Sequence, residues 1–418
     1  MKVYKFGGAS VRDASGIRNL AEIVAGEKED LLIVVSAFGK TTNALENVLK
    51  KWISGDPGYR DSLADILSYH MVVAGDLFKG GNSAKDKIDN SFAKLEEYLK
   101  SSKKTDYDFD YDQIVSYGEA WSTIIVSEFL NYRSLDNIWV DIRGTLITDD
   151  RYRDANILWN ESMVRVKGVF NFMGISRYVT QGFIGSTVTG RTTTLGREGS
   201  DYTAAILANM LDAEAVVVWK DVPGLLNADP KWLSNARKLE EVSYREAVEM
   251  TFSGAKVIHP KTIKPLHNKN IPLHVKSFIV PGEKGTVIKA DARIREILPV
   301  FIRKENQILI SILPKDLSFV MGDNLSRIFY LFIRHGIKVN LVEASAISIN
   351  VCVDDDRVKV DSLINDLKTE FDAIYNDSLE LLSVRHYTND AVDMITKGRD
   401  ILLEQRTRST VRYVVRKA

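Results

Sequence analysis

The sequence predicts an α/β protein with two parts: a three-layer α/β/α domain on a mainly parallel sheet, then a smaller α+β region of ferredoxin-like pattern. Three observations predict it. Short β-branched runs alternate with longer stretches of helical period from residue 1 to about 280, as expected when helices cover both faces of a largely parallel sheet. Pro281-Gly282-Glu283-Lys284-Gly285 then breaks that rhythm. Beyond residue 300 the order becomes strand, helix, strand, strand, helix, the start of a split βαβ unit.

The strands expected in the first part are Val3 to Phe6, Leu31 to Ser36, Ile138 to Asp141, Tyr178 to Gln181, Ala215 to Trp219 and Leu273 to Lys276. Between the fourth and fifth, Ala204, Leu207, Ala208 and Leu211 fall at i, i+3, i+4 and i+7, one apolar stripe on a helix. The stretch Lys100 to Asp112 mixes Lys and Ser with alternating acids and aromatics and reads as a polar surface loop. A boundary near 295 divides the chain into 1–295 and 296–418. In the second part Ile308 to Leu313 reads as a strand. Leu325, Ile328, Phe329, Phe332 and Ile333 form a helical stripe stopped by Gly336, and Ile337 to Val342 resumes strand. Ile347, Ile349, Val351 and Val353 alternate with polar residues on a further strand; Val360 to Phe371 makes a second helix. Leu379 to Val384, a short helix from Asp390 and Val411 to Val415 complete the chain, too little for another whole domain.

Of the 418 residues, 56 are Lys or Arg and 56 are Asp or Glu, so no global pull toward nucleic acid or anionic lipid is expected. Apolar runs near five residues are far below the roughly 20 needed to span a bilayer. The single cysteine, Cys352, excludes an intramolecular disulfide, and with no export signal read at the N-terminus a cytoplasmic location is expected. The six histidines show no HxH or HExxH spacing, so no protein-ligated transition metal is expected. His259 before Pro260 and Asp354-Asp355-Asp356 read as helix caps or turns.

Chemistry concentrates at the strand ends, where open α/β sheets bind ligands. Lys5-Phe6-Gly7-Gly8-Ala9-Ser10 follows the first strand: Gly7 and Gly8 would let backbone N–H groups approach phosphate, with Lys5 as counter-charge, or make a structural turn. Val35-Ser36-Ala37 and Lys40-Thr41-Thr42-Asn43 follow the second, suiting a polar ligand or a helix cap at Thr42 or Asn43. The stretch from Gln181 to Asp201 is the most informative. It joins a buried strand to an amphipathic helix, with Ser200 or Asp201 expected at the N-cap and Arg197 able to grip a carboxylate bidentately. Lys220-Asp221, the turn Asn227 to Lys231 and Ser253-Gly254-Ala255-Lys256 add cations on loops that would gather near one sheet edge.

Together and in this order the motifs resemble the aspartate kinases of the amino-acid kinase family. Lys5 to Ser10 is similar to KFGGTS, and Ser116-Tyr117-Gly118-Glu119 to the GE segment that opens the substrate-binding helix. Thr193 to Tyr202 resembles TTLGRGGSDY, and Ser253 to Pro260 resembles SGAKVLHP. The resemblance implies transfer of a phosphoryl group from ATP, with Mg²⁺, to the β-carboxylate of L-aspartate. By its pattern Lys5 and Asp201 are catalytic. Thr42, Glu119, Arg197 and Ser200 bind substrate, with Arg197 on the α-carboxylate and Glu119 on the α-ammonium. Gly7, Gly8, Ser36, Lys220, Asp221, Leu226, Lys231 and Lys256 hold the nucleotide. Ala9 replaces a threonine, Glu198 a glycine or other small residue, Lys220 the threonine of a TD pair, and Leu226 and Lys231 a tyrosine and an arginine. Two other classes fit less of this pattern: a kinase acting on glutamate or acetylglutamate, and a non-catalytic amino-acid sensor.

The region after 300 resembles the tandem ACT modules of these enzymes, with the second shortened. The resemblance implies a homodimer or higher homo-oligomer through that region and an amino-acid feedback effector near Asn340 and Ser345. Asn340 and Ala346 replace acidic residues of lysine-sensitive relatives, so weak or absent lysine inhibition is expected.

Overall fold

The computed structural model describes residues 1–78, 83–255, 258–292, 297–316 and 318–416. It forms two compact units. The first comprises Met1–Leu225, Lys238–Val248 and Val257–Arg293; the second comprises Leu226–Arg237, Glu249–Lys256 and Ile294–Ala418.

In chain order the first unit opens with β1 (Lys2–Phe6), α1 (Ala14–Ala25), β2 (Leu31–Val35), α2 (Thr41–Ser54), α3 (Tyr59–Leu77), α4 (Ser83–Ser101), α5 (Tyr107–Val115) and α6 (Tyr117–Tyr132). It continues through β3 (Ile138–Val140), β4 (Ile147–Thr148), α7 (Trp159–Val169), β5 (Arg177–Gln181), β6 (Ile184–Thr187), β7 (Thr192–Thr194), α8 (Gly199–Met210) and β8 (Ala215–Lys220). After β9 (Glu241–Ser243) come α9 (Tyr244–Ser253), which passes into the second unit at Glu249, and then, back in the first, α10 (Pro260–Asn268), β10 (Leu273–Ser277) and β11 (Thr286–Lys289). Eight strands form one sheet in the order β3-β5-β2-β1-β8-β10-β11-β9, parallel except between β10 and β11.

The run Leu-Leu-Ile-Val-Val of β2 is buried at every position, the signature of a strand covered on both faces. Tyr4, Phe6, Ile33, Val35, Val217 and Trp219 join a core with α1 to α6. Alternation turns Val3, Lys5 and Leu32 the other way, toward the face on which α8 packs. From β1 the chain steps to β2 on one side, and from β8 to β10 on the other, so the carboxyl ends of β1 and β8 flank a topological switch point. Two glycines permit close approach there. A Cβ on Gly8 would lie 2.3 Å from the Ala37 carbonyl oxygen, and one on Gly182 would lie 2.4 Å from Ser200 Cβ.

The expectation for Lys100 to Asp112 needs correction. The polar stretch from Lys100 to Asp112 is not a simple surface loop: Asp106 caps α5 by accepting from the Asp108 and Phe109 amides, and Asp110 and Asp112 are buried. The stretch after Gln181 contains the buried hairpin β6–β7, which with β4 makes a separate three-stranded sheet.

The second unit carries β12 (Val300–Pro314), α11 (Asp323–Arg334), β13 (Val339–Ala344), β14 (Ile349–Asp354), α12 (Arg357–Glu370), β15 (Phe371–Arg385), α13 (Asn389–Thr396), β16 (Ile401–Arg406) and β17 (Thr410–Arg416). These strands make one antiparallel sheet, β13-β14-β12-β15-β17-β16. Its first half is a complete βαββαβ unit with α11 and α12 packed on Ile308, Ile310 and Ile312. The other half shares the long strands β12 and β15, whose register shifts between Lys304 and Leu309, and owns a single helix, α13. Trp232, Leu233 and Ala236 pack beside α13 over Phe301, Leu382, Val384 and Tyr413, covering apolar face that one helix leaves open. Gln405 Nε2 donates to the Val342 carbonyl at 2.9 Å, joining the two edge strands β16 and β13. Ile347, expected within a strand, lies in the turn before β14.

Candidate active site

A pocket of about 550 Å³ opens at the carboxyl ends of β1, β2 and β8. Of the residues expected to carry chemistry, Lys5, Gly8, Ser36, Thr42, Glu119, Arg197, Ser200, Asp201 and Lys220 line it. Gly7 adjoins, its Cα direction facing Lys5 Nζ, whereas exposed Asp221 does not line the pocket. Leu226 and Lys231 belong to the second unit, while every residue lining the pocket belongs to the first. Lys256 lies outside the described residues.

The floor is an ion triad. Lys5 Nζ sits 2.6 Å from Asp201 Oδ1, and Lys220 Nζ sits 3.2 Å from Asp201 Oδ2. Parallel pairing sets this up: Phe6 is level with Trp219, so Lys5 and Lys220 end adjacent strands and reach the same carboxylate. Burial would push the Asp201 carboxyl up, but the two ammonium groups hold it below the usual carboxylate range. This explains why Asp201 is not the N-cap. Glu198 takes that position, and Ser200 and Asp201 occupy the first turn of α8, where Asp201 faces the lysines instead of free N–H groups. Likewise α2 starts at Thr41 after Lys40, without a side-chain cap, so Thr42 and Asn43 lie in its first turn, not at the cap.

Glu119 enters from the first turn of α6 and is only 3% exposed. Its Oε1 accepts from the Ala37 amide at 3.4 Å, and its Oε2 has no hydrogen-bond partner among the described residues. Desolvation raises its carboxyl to about 8 against opposition from the Ala37 amide, its own amide and Lys5. A buried carboxylate that lacks a partner is a receptor for a cation. Arg197 is its complement: exposed at the rim, it makes no ion pair or hydrogen bond among the described residues, leaving the guanidinium fork available to an anion.

Sequence reasoning missed the wall built from α5 and the segment before α7. Arg153 lines the pocket with a left-handed backbone (φ 68°), pairs with Asp108 at 3.0 Å, and lies over the rings of Tyr111 and Tyr107. Asp112 fixes this wall by accepting from the Arg153 amide at 3.0 Å and from the Thr194 amide and hydroxyl at 2.8 and 2.7 Å. Burial pushes its carboxyl up to about 6 despite these bonds. The available signal was the spacing of Tyr107, Tyr111, Ile114 and Val115 behind the cap Asp106. His259 does cap α10, its ring accepting from the Lys261 amide, and Asp356 caps α12.

In the second unit, the sites suggested for an effector separate. Asn340 is buried; it accepts from Lys304 Nζ at 2.8 Å and donates to Gln307 and to Asp354, each at 2.8 Å. Ser345 lies on the exposed turn after β13, bonded to Ser348.

Residues 1–277 match the amino acid kinase family. The chain belongs to the amino acid kinase family. Within it this kinase sits among the aspartokinases. It is 32% identical over 354 residues to lysine-sensitive aspartokinase 3 of Escherichia coli, covering 84% of this chain and 78% of that protein. It is 31% identical to the chloroplastic bifunctional aspartokinase/homoserine dehydrogenase 2 of Arabidopsis thaliana, but spans only 42% of that longer relative. The crystal structure of E. coli aspartokinase III with aspartate and ADP superposes with a TM-score of 0.84 at 28% identity, covering 100% of this chain and 96% of that one. The lysine- and aspartate-bound T-state of the same enzyme gives 0.80 at 27% identity, with the same coverage. No described helix is long and apolar enough to cross a membrane.

Proposed function

We propose that this pocket transfers the γ-phosphoryl group of ATP to the β-carboxylate of L-aspartate, giving 4-phospho-L-aspartate and ADP. The observation that carries the reading is one cavity lined by a lysine pair bridged by Asp201, by Arg197, unpaired among the described residues, and by a buried, half-partnered Glu119. These answer, in turn, a polyphosphate, an α-carboxylate and an α-ammonium. Membership of the aspartokinases, one of which is solved with aspartate and ADP, supports the same substrates.

The acceptor carboxylate is ionised at neutral pH, so its oxygen attacks phosphorus without a general base, and the bond to the ADP oxygen breaks. The chain's work is therefore positioning and charge neutralisation. Asp201 holds Lys5 and Lys220 side by side, ready to meet phosphate oxygens. Gly7, Gly8 and Ser36 leave backbone room for the phosphates, and Thr42 and Ser200 border the acceptor. Arg197 and Glu119 clasp the α-substituents, and a glutamate would have to seat an extra methylene between those two anchors and the phosphate. N-acetylation would remove the cation that Glu119 answers. Mg²⁺ entering with the nucleotide supplies charge neutralisation. The residues present fit it: small side chains at Gly8, Ala9 and Ser36 leave space, and the acidic residues Glu119, Glu198 and Asp201 line the same cavity.

Trapping the acyl phosphate with hydroxylamine, in the presence of MgATP and one acid at a time, tests the reading. Hydroxamate is expected with L-aspartate and not with L-glutamate or N-acetyl-L-glutamate. Absence of product with every acid would make the chain a sensor and overturn the proposal. Self-association through the second unit is proposed on resemblance alone, and light scattering on the purified chain decides it.

A further inference from the structure

We infer that Glu198 is a protein ligand, direct or through one water, for the divalent cation that accompanies the nucleotide. The inference rests on reading the pocket as a nucleotide site. Glu198 precedes α8 with a left-handed backbone (φ 54°), a conformation that disfavours every side chain and suits glycine. Glu198 is among the residues lining the pocket, and its Oε2 is buried without a hydrogen-bond partner among the described residues.

Two residues lining the pocket thus carry a carboxylate oxygen that is unanswered among the described residues, Oε2 of Glu119 and Oε2 of Glu198. An amino-acid substrate brings one ammonium. Glu119, tied to the Ala37 amide at the end of β2, is the deeper of the two and takes it. Glu198 remains, at the N-terminus of the twelve-residue α8, the end of a helix that attracts phosphate. A carboxylate facing polyphosphate repels it unless a cation lies between them. A hard divalent ion bound by phosphate oxygens and one carboxylate meets that requirement, and its chemistry matches Mg²⁺ or Mn²⁺.

The test measures binding of Mn²⁺·ADP, by the electron paramagnetic resonance of Mn²⁺, and of metal-free ADP in EDTA to the full chain. Glu198→Gln and Glu198→Gly are compared with wild type. Expected is a loss of Mn²⁺ affinity in the ternary complex of roughly 10- to 100-fold in both variants, the scale for metal-site carboxylates, with metal-free ADP held as well as or better than by wild type. Variants that keep Mn²⁺·ADP within about threefold of wild type, the spread of such titrations against that scale, overturn the assignment while leaving the nucleotide site standing. So does an equal loss of metal-free ADP, or a loss confined to aspartate affinity, which would put Glu198 on the ammonium. A wild-type chain that binds no ADP in either form removes the nucleotide reading and the assignment with it. Should Glu198→Gln not fold, Glu198→Gly, which suits the backbone, carries the comparison.

Discussion

Glu119→Gln separates stability from function. In the ligand-free protein, burial lifts the Glu119 carboxyl from 4.5 to about 8. Between those values the folded chain keeps a proton that the unfolded chain has lost, so stability falls as pH rises through that window. Integrated to pH 8, the penalty approaches about 4 kcal/mol, an upper figure for one group. Glutamine mimics the protonated acid and can still accept from the Ala37 amide. The variant is therefore expected to match wild type at pH 5 and to be more stable by up to several kcal/mol at pH 8 in urea titrations. Catalysis moves oppositely. Only ionised Glu119 answers the substrate ammonium, and at pH 7 about one molecule in ten is ionised. For wild type, kcat/KM for aspartate should rise roughly 15-fold between about pH 6.5 and pH 8, because that ratio reports the free enzyme, with kcat nearly flat. In Glu119→Gln the rise disappears and kcat/KM at pH 8 drops by roughly 10- to 100-fold, the scale of one charge-assisted hydrogen bond. A flat wild-type profile, or a variant less stable than wild type at pH 8, would refute the argument from desolvation.

Three further outcomes follow from the geometry. Lys5→Ala should lower kcat by roughly 100-fold or more, as removal of one preorganised electrostatic group does, and a variant within about threefold of wild type on that same scale would show in steady-state assays that Lys5 is misassigned. Asp201→Asn strands two lysine ammonium groups around a neutral amide and should destabilise the fold by about 3–5 kcal/mol. Because the Asp201 carboxyl is held low, its contribution is present above the ordinary carboxylate range and lost as pH falls below it, so wild type and variant should converge in acid melts. L-Lysine should inhibit weakly or not at all, since every polar group of the Asn340 side chain is already bonded and Lys304 lies beside it; steep inhibition by micromolar lysine in the hydroxamate assay would contradict this.

What could be read from the sequence follows from how parallel sheets are built. Strands such as β2, apolar at every position, announce themselves by composition, and their residues lie in register: Lys5 with Val34 and Val218, Phe6 with Val35 and Trp219. Their carboxyl ends therefore share one level, and whatever follows each strand in sequence meets in space. That is why Lys5, Ser36 and Lys220 could be assigned to one site from three distant strings. Positions within a turn were harder. A cap is chosen by competition for its side chain, and Asp201 serves two lysines rather than free amides, a preference that no local pattern encodes.

The wall carrying Arg153 and Tyr111 approaches from the side of the sheet, where register gives no guidance. Its location depends on Asp112, whose three bonds run to residues 41 and 82 positions further along the chain. Alternating acids and aromatics look like a solvated loop until those partners arrive. The same holds for Trp232 and Leu233, which join a sheet whose strands begin only at Val300. In both places a short segment is stabilised by non-local partners, so its conformation is a property of the assembled unit and its local composition misleads. Glu198 is the converse case. Its departure from glycine is visible in the sequence, but only the structure shows that it has a left-handed backbone beside the pocket and a buried oxygen unanswered among the described residues. The residues most particular to this chain are thus the ones where sequence supplies the anomaly and structure supplies the reason.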